Sequence, residues 1–156
     1  MDDPFPTKIT REFFMTPHQK AENLHQKVGT FIISAIGEDG YPLTKAVVPA
    51  IRRNSLGEIY FGTNATSKFA QAVSKNPKAG VCFYSKKFIF VWRGCYLKGN
   101  MEIVTDMAIK ERYWDAKYKA AYETQKFTDP DYCLLKFTPI SGRYYANFNL
   151  HDLEFS

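Results

Sequence analysis

The chain lacks the motifs by which several large classes of enzyme are recognised. It contains no G-x-G-x-x-G and no G-x-x-x-x-G-K-[ST], so the signatures of Rossmann and P-loop nucleotide binding are missing. No serine lies in a nucleophile elbow, and no metal site is predicted from His18 and His25 on the first helix. No catalytic side chain can therefore be named. We expect a bound cofactor to carry any reaction that the protein performs.

Cysteines are few, and the longest apolar run is short. Cys82, Cys95 and Cys133 each lie in an apolar run without C-x-x-C spacing, which predicts reduced thiols in a reducing compartment. The first six residues are acidic and interrupted by proline, unlike a secretory signal peptide. The apolar stretch at residues 30–36 is too short to cross a bilayer. The sequence thus predicts a cytoplasmic protein that does not enter membranes.

Aromatic residues are abundant in this short chain. The 156 residues include 13 Phe, 10 Tyr and 2 Trp, a length that suits one domain over residues 1–156. So many aromatic rings are typical of a β-rich fold with an aromatic core, a cofactor pocket or a subunit interface. The net charge of +5 favours anionic ligands. The compact basic pairs, Arg52-Arg53 and Lys86-Lys87, are too small to predict nucleic-acid binding.

The order of sequence patterns predicts an antiparallel β-barrel with three helices at its edges. Thr16-Pro17 begins a helix that Gly29 ends, and a longer helix with an aromatic face begins at Asp106. A hairpin turn at residues 54–57 is expected to join two neighbouring strands. The predicted strands cover residues 30–36, 43–51, 58–61, 79–85, 88–104, 132–138 and 142–147.

The segment IYFGTNATSKF at residues 59–69 predicts a strand, a polar turn and a short helix that Asn76-Pro77 ends. Thr66 or Ser67 can cap this helix, and Lys68 lies in its first turn. Free backbone N–H groups and the positive end of a helix favour an anion, and Lys68 adds a full charge. The pattern fits either a phosphate site or an ordinary capped helix with a solvated lysine.

The ordered series of segments resembles the flavin-binding split-barrel superfamily of the pyridoxamine 5'-phosphate oxidases. It is most similar to the small branch related to bacterial general stress proteins. The resemblance extends over nearly the whole chain, from about residue 16 to about residue 148. The segments that carry it are GYPLTKAVVP (40–49), IYFGTNATSK (59–68), NP (76–77), GVCFY (80–84) and GCYLKGNMEI (94–103).

The resemblance implies an antiparallel split barrel that binds flavin mononucleotide (FMN) and forms a homodimer with a flavin between the subunits. It places the flavin ring along a strand at Lys45, Ala46, Val47 and Val48. It implies that Gly62 and Thr63 match the family's flavin-binding positions after the next strand. Ser67 and Lys68 match the residues that bind the phosphate. Aromatic residues such as Trp92, Trp114 and Tyr144 would close the site from the partner. It also implies an oxidoreductase that moves electrons from NAD(P)H or another reductant to a small acceptor.

The chain departs from the oxidases at three places. Phe69 stands where they carry a second basic residue, and the ring-edge strand runs into Pro49. The C-terminal LHDLEFS has no counterpart of their Arg/His substrate signature, so we do not expect pyridoxamine phosphate to be a substrate. A non-catalytic flavin carrier or sensor remains an alternative, as does a barrel that binds single-stranded nucleic acid. A deazaflavin or haem could also replace FMN, as in related barrels.

Overall fold

The computed structural model describes residues 13–50, 52–88 and 91–156, and its main element is an antiparallel sheet. The helices are α1 (Pro17–Lys27), α2 (Lys68–Lys75) and α3 (Met107–Tyr113), and a 3₁₀ helix spans Ala116–Ala121. The strands are β1 (Phe31–Ile36), β2 (Pro42–Val47), β3 (Ile59–Asn64), β4 (Lys78–Phe88), β5 (Val91–Ile103), β6 (Tyr132–Ala146) and β7 (Asn149–Glu154). The predicted class, a mainly β fold with helices at the edges, is confirmed.

The sheet curls into a split barrel. Its strands follow the order β2-β1-β4-β5-β6-β3, and β7 pairs with the outer part of β6. The two ends of this order, β2 and β3, meet at a bridge between Pro49 and Phe61, where the Ala50 N–H donates to the Tyr60 carbonyl at 2.9 Å. Among the described residues this is the only pairing between the two segments, and on the β2 side of the bridge they separate.

The hairpin predicted between residues 43–51 and 58–61 is reduced to the single antiparallel bridge between Pro49 and Phe61. β2 pairs with β1, from Phe31 opposite Val47 to Ile36 opposite Pro42, and β3 pairs with β6. The bridge is made through the Ala50 N–H and the Tyr60 carbonyl, so the nitrogen of Pro49, which has no N–H to donate, points away from β3. Residue 51, the last of the predicted strand, lies outside the described residues.

Two other predicted elements differ from those observed. The long helix from Asp106 is broken, because α3 ends at Tyr113 and the Asp115 carboxylate accepts the Lys117 N–H to begin a separate 3₁₀ turn. The predicted strands 132–138 and 142–147 are one strand, β6, in which a register shift against β5 accommodates Pro139. The sequence analysis missed β7, which follows a tight turn with Asn147 at φ 55°.

The helix ends follow the predicted signals. Thr16 caps α1 in a capping box with Gln19, and Pro17 is the first helical residue. Ser67 caps α2 by accepting the Ala70 N–H at 3.1 Å, and the helix ends at Lys75 as predicted. In the described part of the chain, no helix has the length and apolar character needed to cross a membrane.

The barrel interior is filled by aromatic rings on facing strands. Phe31 stacks on Phe83 with centroids 4.7 Å apart and meets Phe61 edge-on at 5.9 Å. α1 and α2 pack their apolar faces on this core through Leu24 and Phe69. A second group, the tyrosine cluster, packs over the outside of β3 and consists of Tyr60, Tyr113, Tyr118, Tyr122 and Tyr132. Cys95 and Cys133 are buried free thiols, and Cys82 is half-buried.

His25 is a titratable side chain inside the aromatic core. It is 1% exposed and lies edge-on to Phe31, and its Nε2 has no hydrogen-bond partner among the described residues. Burial lowers the pKa of this imidazole from 6.5, and Arg53 lowers it further. The Glu22 carboxylate, 3.7 Å from Nδ1, opposes the shift. The neutral ring is therefore the form that the folded state favours.

We expect the free energy of unfolding to fall as the pH drops below 6.5. In that window the unfolded chain protonates His25 while the folded chain keeps it neutral, so acid favours the unfolded state. Urea unfolding at pH 5 and pH 7.5 measures the effect. His25→Leu should reduce this pH dependence, whereas the control His151→Leu, which removes an exposed histidine, should leave it intact. An unchanged dependence in His25→Leu would contradict the assignment.

Candidate functional site

Lys45, Thr63 and Ser67 come together where β2 and β3 separate; we call these three residues the Lys45 cluster. The Lys45 ammonium donates to the Thr63 hydroxyl at 2.8 Å, and the Thr63 and Ser67 hydroxyl oxygens are 3.4 Å apart. β2, the end of β3 and the start of α2 each contribute one of these side chains. The cluster thus joins a cation and two hydroxyl groups at a helix N-terminus, where backbone N–H groups are free of partners within the helix.

The Lys45 side chain is partly removed from water. Its ammonium lies 5.0 Å from the centroid of the Phe69 ring, on the first turn of α2. Burial lowers the pKa of Lys45 from its usual range, and a negative charge on the nearby Cys133 sulfur would oppose this only in part. In the described part of the chain no carboxylate lies within salt-bridge distance of Lys45. A half-buried cation without a counter-charge attracts an anion.

Hydrogen bonds from residues outside the Lys45 cluster hold its backbone in place. The buried Tyr122 hydroxyl donates to the Thr63 carbonyl at 3.0 Å, which connects the tyrosine cluster to β3. The Asp131 carboxylate accepts from the Thr66 N–H at 3.0 Å and from the Asn64 amide at 2.6 Å. These donors lower the pKa of Asp131, so it stays ionised and holds the turn before α2. The Ser67 N–H donates to the Asn64 carbonyl at 3.0 Å and the Ala70 N–H to the Ser67 hydroxyl, so the open backbone donors of this turn are the N–H groups of Lys68 and Phe69.

The other residues predicted to bind the cofactor differ in their exposure and in the direction of their side chains. Val47 is half-buried against the core, and Ala46 and Val48 are exposed on the edge strand. Lys68 is exposed, and neither a hydrogen bond nor an ion pair joins its side chain to another described residue. Gly62 points to the opposite face of β3 from Thr63, since a Cβ there would lie 3.7 Å from the rings of Tyr118 and Tyr132.

Trp92 does not join the Lys45 cluster within one chain. It stands at the start of β5, is 43% exposed and stacks on Tyr84 at 6.1 Å. The sheet register aligns Lys45 with Leu97 of β5 through β1 and β4. Trp92 therefore lies three strands across and about 17 Å further along β5, at about 3.3 Å per residue. Trp114 and Tyr144 pack inside their own chain, Trp114 on Tyr132 at 4.8 Å and Tyr144 in the barrel core.

The contacts that build this site are not evident from the sequence. The family resemblance implies a flavin contact along the backbone of the Lys45 strand and a phosphate contact at Lys68. The Lys45 ammonium, however, is the charge that the fold places on Thr63. No sequence pattern indicates the roles of Asp131 and Tyr122. The one available signal was the alternation of β2, which puts Lys45 on the same side as the core-contacting Leu43 and Val47.

The cluster can bind and orient an anion, but it offers no reactive group of its own. The Cys133 thiol beside it is buried, and burial raises its pKa, which makes it a poor nucleophile at neutral pH. Within the described residues no group of three or more His, Cys, Asp and Glu side chains could hold a metal ion. Catalysis at this site would need a bound group that supplies the chemistry.

Solved structures with this fold include bacterial stress proteins. A protein from Clostridium acetobutylicum related to general stress protein 26 of B. subtilis, of the pyridoxinephosphate oxidase family, is 26% identical, with a TM-score of 0.74 over 87% of this chain and 92% of its own. General stress protein 26 from Bacillus anthracis is 20% identical, with a TM-score of 0.73 over 90% of this chain and 100% of its own. A haem-binding protein from Mycobacterium smegmatis is 12% identical, with a TM-score of 0.71 over 90% of this chain and 58% of its own.

A search of curated proteins gives no match. A family model described as pyridoxamine 5'-phosphate oxidase like matches residues 45–152, which include the whole Lys45 cluster. This match covers more than half of the chain, and the split barrel agrees with it. The chain therefore belongs to the pyridoxamine 5'-phosphate oxidase-like family.

Proposed function

We propose that the protein binds FMN at the Lys45 cluster and is a cytoplasmic, FMN-dependent oxidoreductase. The observation that carries this proposal is the half-buried Lys45 ammonium, which contacts the Thr63 hydroxyl and has no carboxylate partner among the described residues. A phosphate dianion would supply the missing counter-charge. Membership of the family supports a flavin as the molecule that bears the phosphate.

The residues present fit the phosphate end of FMN. Lys45 supplies a charge-assisted hydrogen bond, and the Thr63 and Ser67 hydroxyls can turn their protons towards phosphate oxygens. The first turn of α2 adds backbone N–H groups and the positive end of the helix dipole. The Thr66 N–H already donates to the Asp131 carboxylate and is not available to a ligand. We therefore expect the phosphate on the Ser67 side of the turn.

The residues present also fit the ring end. β2 pairs with β1 on one edge, and in the described chain its other edge meets no strand before the Pro49 bridge. Backbone N–H and C=O groups on that edge can reach the polar rim of a flavin ring, and Val47 and Val48 are apolar walls. When bound, FMN supplies hydride or electron transfer. The chain orients the ring, limits its contact with water and holds its phosphate.

Haem is the second cofactor to consider, because the mycobacterial relative is a haem-binding protein. Haem iron is commonly held by histidine, and the three histidines of this chain lie away from the Lys45 cluster. His25 is enclosed in the core, His18 contacts the Glu154 carbonyl at 2.9 Å, and His151 is on β7. The cluster itself offers a cation and hydroxyls, which suit a phosphate better than an iron.

Lys45→Met should weaken FMN binding by about 1.5–3 kcal/mol, the scale of a hydrogen bond to a charged group. Riboflavin, which has no phosphate, should bind nearly equally to both proteins. The control Lys68→Met removes an exposed cation from the first turn of α2 and should change FMN affinity less. Fluorescence titration of apoprotein with each flavin measures all these affinities. Equal losses for FMN and riboflavin would show that Lys45 does not touch the phosphate.

We expect NADH or NADPH to reduce the bound flavin slowly and without strong preference. Hydride transfer to a flavin needs alignment of donor and ring, and it does not require a side-chain acid or base. Anaerobic mixing with each nicotinamide, followed by the loss of flavin absorbance, measures the rate. Failure of both to bleach the flavin would favour a carrier or sensor. Pyridoxamine 5'-phosphate should remain unoxidised, since LHDLEFS lacks the oxidases' substrate signature.

We also propose a homodimer in which the partner closes the flavin site. Tyr84, Trp92 and Tyr96 are 52%, 43% and 45% exposed on the outer face of the β4–β5 pair, an aromatic surface typical of subunit interfaces. A second copy would bring its own Trp92 to a site that Trp92 cannot reach within one chain.

Sedimentation should give about twice the 18.0 kDa chain mass for the wild type. Tyr96→Glu should shift the protein towards monomer and weaken FMN binding, because it places a charge in the proposed interface. The control Tyr41→Glu, at the β1–β2 turn and 73% exposed, should keep the dimer. A wild-type monomer that binds FMN at micromolar concentration would contradict this arrangement.

A further inference from the structure

The side chains of β4 and β5 that face the core continue past the end of the apolar core. Phe83 and its partner Cys95 are fully buried, and two residues further along the pair Ser85 and Arg93 faces the same side. Neither side chain is apolar, and both are half-buried. The interior of the barrel thus becomes polar and basic at this end of the sheet.

α1 crosses this end of the barrel and leaves a cavity beneath it. Leu24 and Val28, one turn apart, face the sheet, and Lys20 and Lys27 lie about two turns apart on the rim. The cavity has a volume of about 990 Å³, the size that holds a drug-sized organic molecule. Openings at barrel ends are common places for such ligands.

The lining of the cavity is divided between apolar walls and a basic rim. The apolar and aromatic residues of the lining are Phe13, Leu24, Val28, Ile32, Tyr84, Val91, Tyr144 and Ala146, of which Tyr84 also belongs to the aromatic surface proposed as the subunit interface. The cations are Lys20, Lys27, Lys87 and Arg93, and no described residue that lines the cavity is acidic. Arg93 already has an interaction of its own, but the three lysines around an apolar space favour a ligand that is negatively charged at one end and apolar at the other.

We infer that this cavity, the α1 cavity, is a binding site for an organic anion with an apolar body, such as an aromatic or aliphatic carboxylate. The apolar body lies against Leu24, Val28 and Tyr144, and the carboxylate faces the lysines of the rim. The α1 cavity shares no lining residue with the Lys45 cluster. The anion is therefore held by cations other than Lys45, although Ile32 in the lining pairs with Ala46 of β2.

Calorimetric titration of the full chain with naphthalene-1-acetate tests this inference. The probe should bind one molecule per chain, and the uncharged naphthalene-1-acetamide should bind about tenfold more weakly, since one charge-assisted contact is worth about 1.4 kcal/mol more than a neutral one. Inorganic phosphate, which lacks an apolar body, should not bind in the cavity. Addition of FMN should leave the affinity for the probe unchanged, which separates this site from the flavin site.

Two variants identify the cavity. Lys20→Gln with Lys27→Gln should raise the Kd of the probe about fivefold, the sum of two partly exposed ion pairs. The control Lys117→Gln with Lys119→Gln removes the same charge from the exposed 3₁₀ helix and should leave the Kd unchanged. Gly29→Leu should weaken binding by placing a side chain in the cavity, and it should fold, because a Cβ at Gly29 meets no atom within 4 Å.

Four results would overturn the inference. They are no saturable binding of naphthalene-1-acetate, equal affinity for the acetate and the acetamide, an unchanged Kd in the folded Gly29→Leu variant, and displacement of the probe by FMN, which would mean that the two ligands share one site. The first three leave the Lys45 experiment unaffected, because it measures a different part of the barrel.

Discussion

The single bridge between Pro49 and Phe61 is the constraint on which the site depends. A barrel whose end strands paired along their full length would place β2 against β3 and leave no gap between them. No further pairs between β2 and β3 follow this bridge in the described residues, so the two strands separate on the β2 side of it. The Lys45 side chain spans this gap to the Thr63 hydroxyl. An open strand edge, a cation and a helix start consequently lie together.

This arrangement costs stability in the absence of a ligand. A half-buried ammonium without a carboxylate partner in the described chain is less favourable than one in water, as the lowered pKa of Lys45 indicates. Binding of an anion would offset that cost and stabilise the fold in the same step. The surrounding contacts, from Tyr122 to the Thr63 carbonyl and from Asp131 to Thr66, hold the donors in place before any ligand arrives. Such pre-organisation reduces the entropy lost on binding.

The sequence predicted the elements whose signals are local. The caps at Thr16 and Ser67 and the stop at Asn76-Pro77 act within one helical turn, so they can be read directly. The break between α3 and the 3₁₀ helix was missed, because the aromatic spacing fits a continuous helix as well as a broken one. The pairing of β2 and the contact between Lys45 and Thr63 depend on segments that are distant in sequence. Periodicity alone does not specify such contacts.

The central claim is that the Lys45 cluster holds the phosphate of a flavin. The crystal structure of the protein grown with FMN tests this most directly, because it locates the phosphate without reference to affinity or turnover. The account predicts a phosphate oxygen within hydrogen-bond distance of the Lys45 Nζ and the Ser67 hydroxyl, with the ring along the open edge of β2. A phosphate held elsewhere, with the Lys45 ammonium still on Thr63 alone, would contradict it.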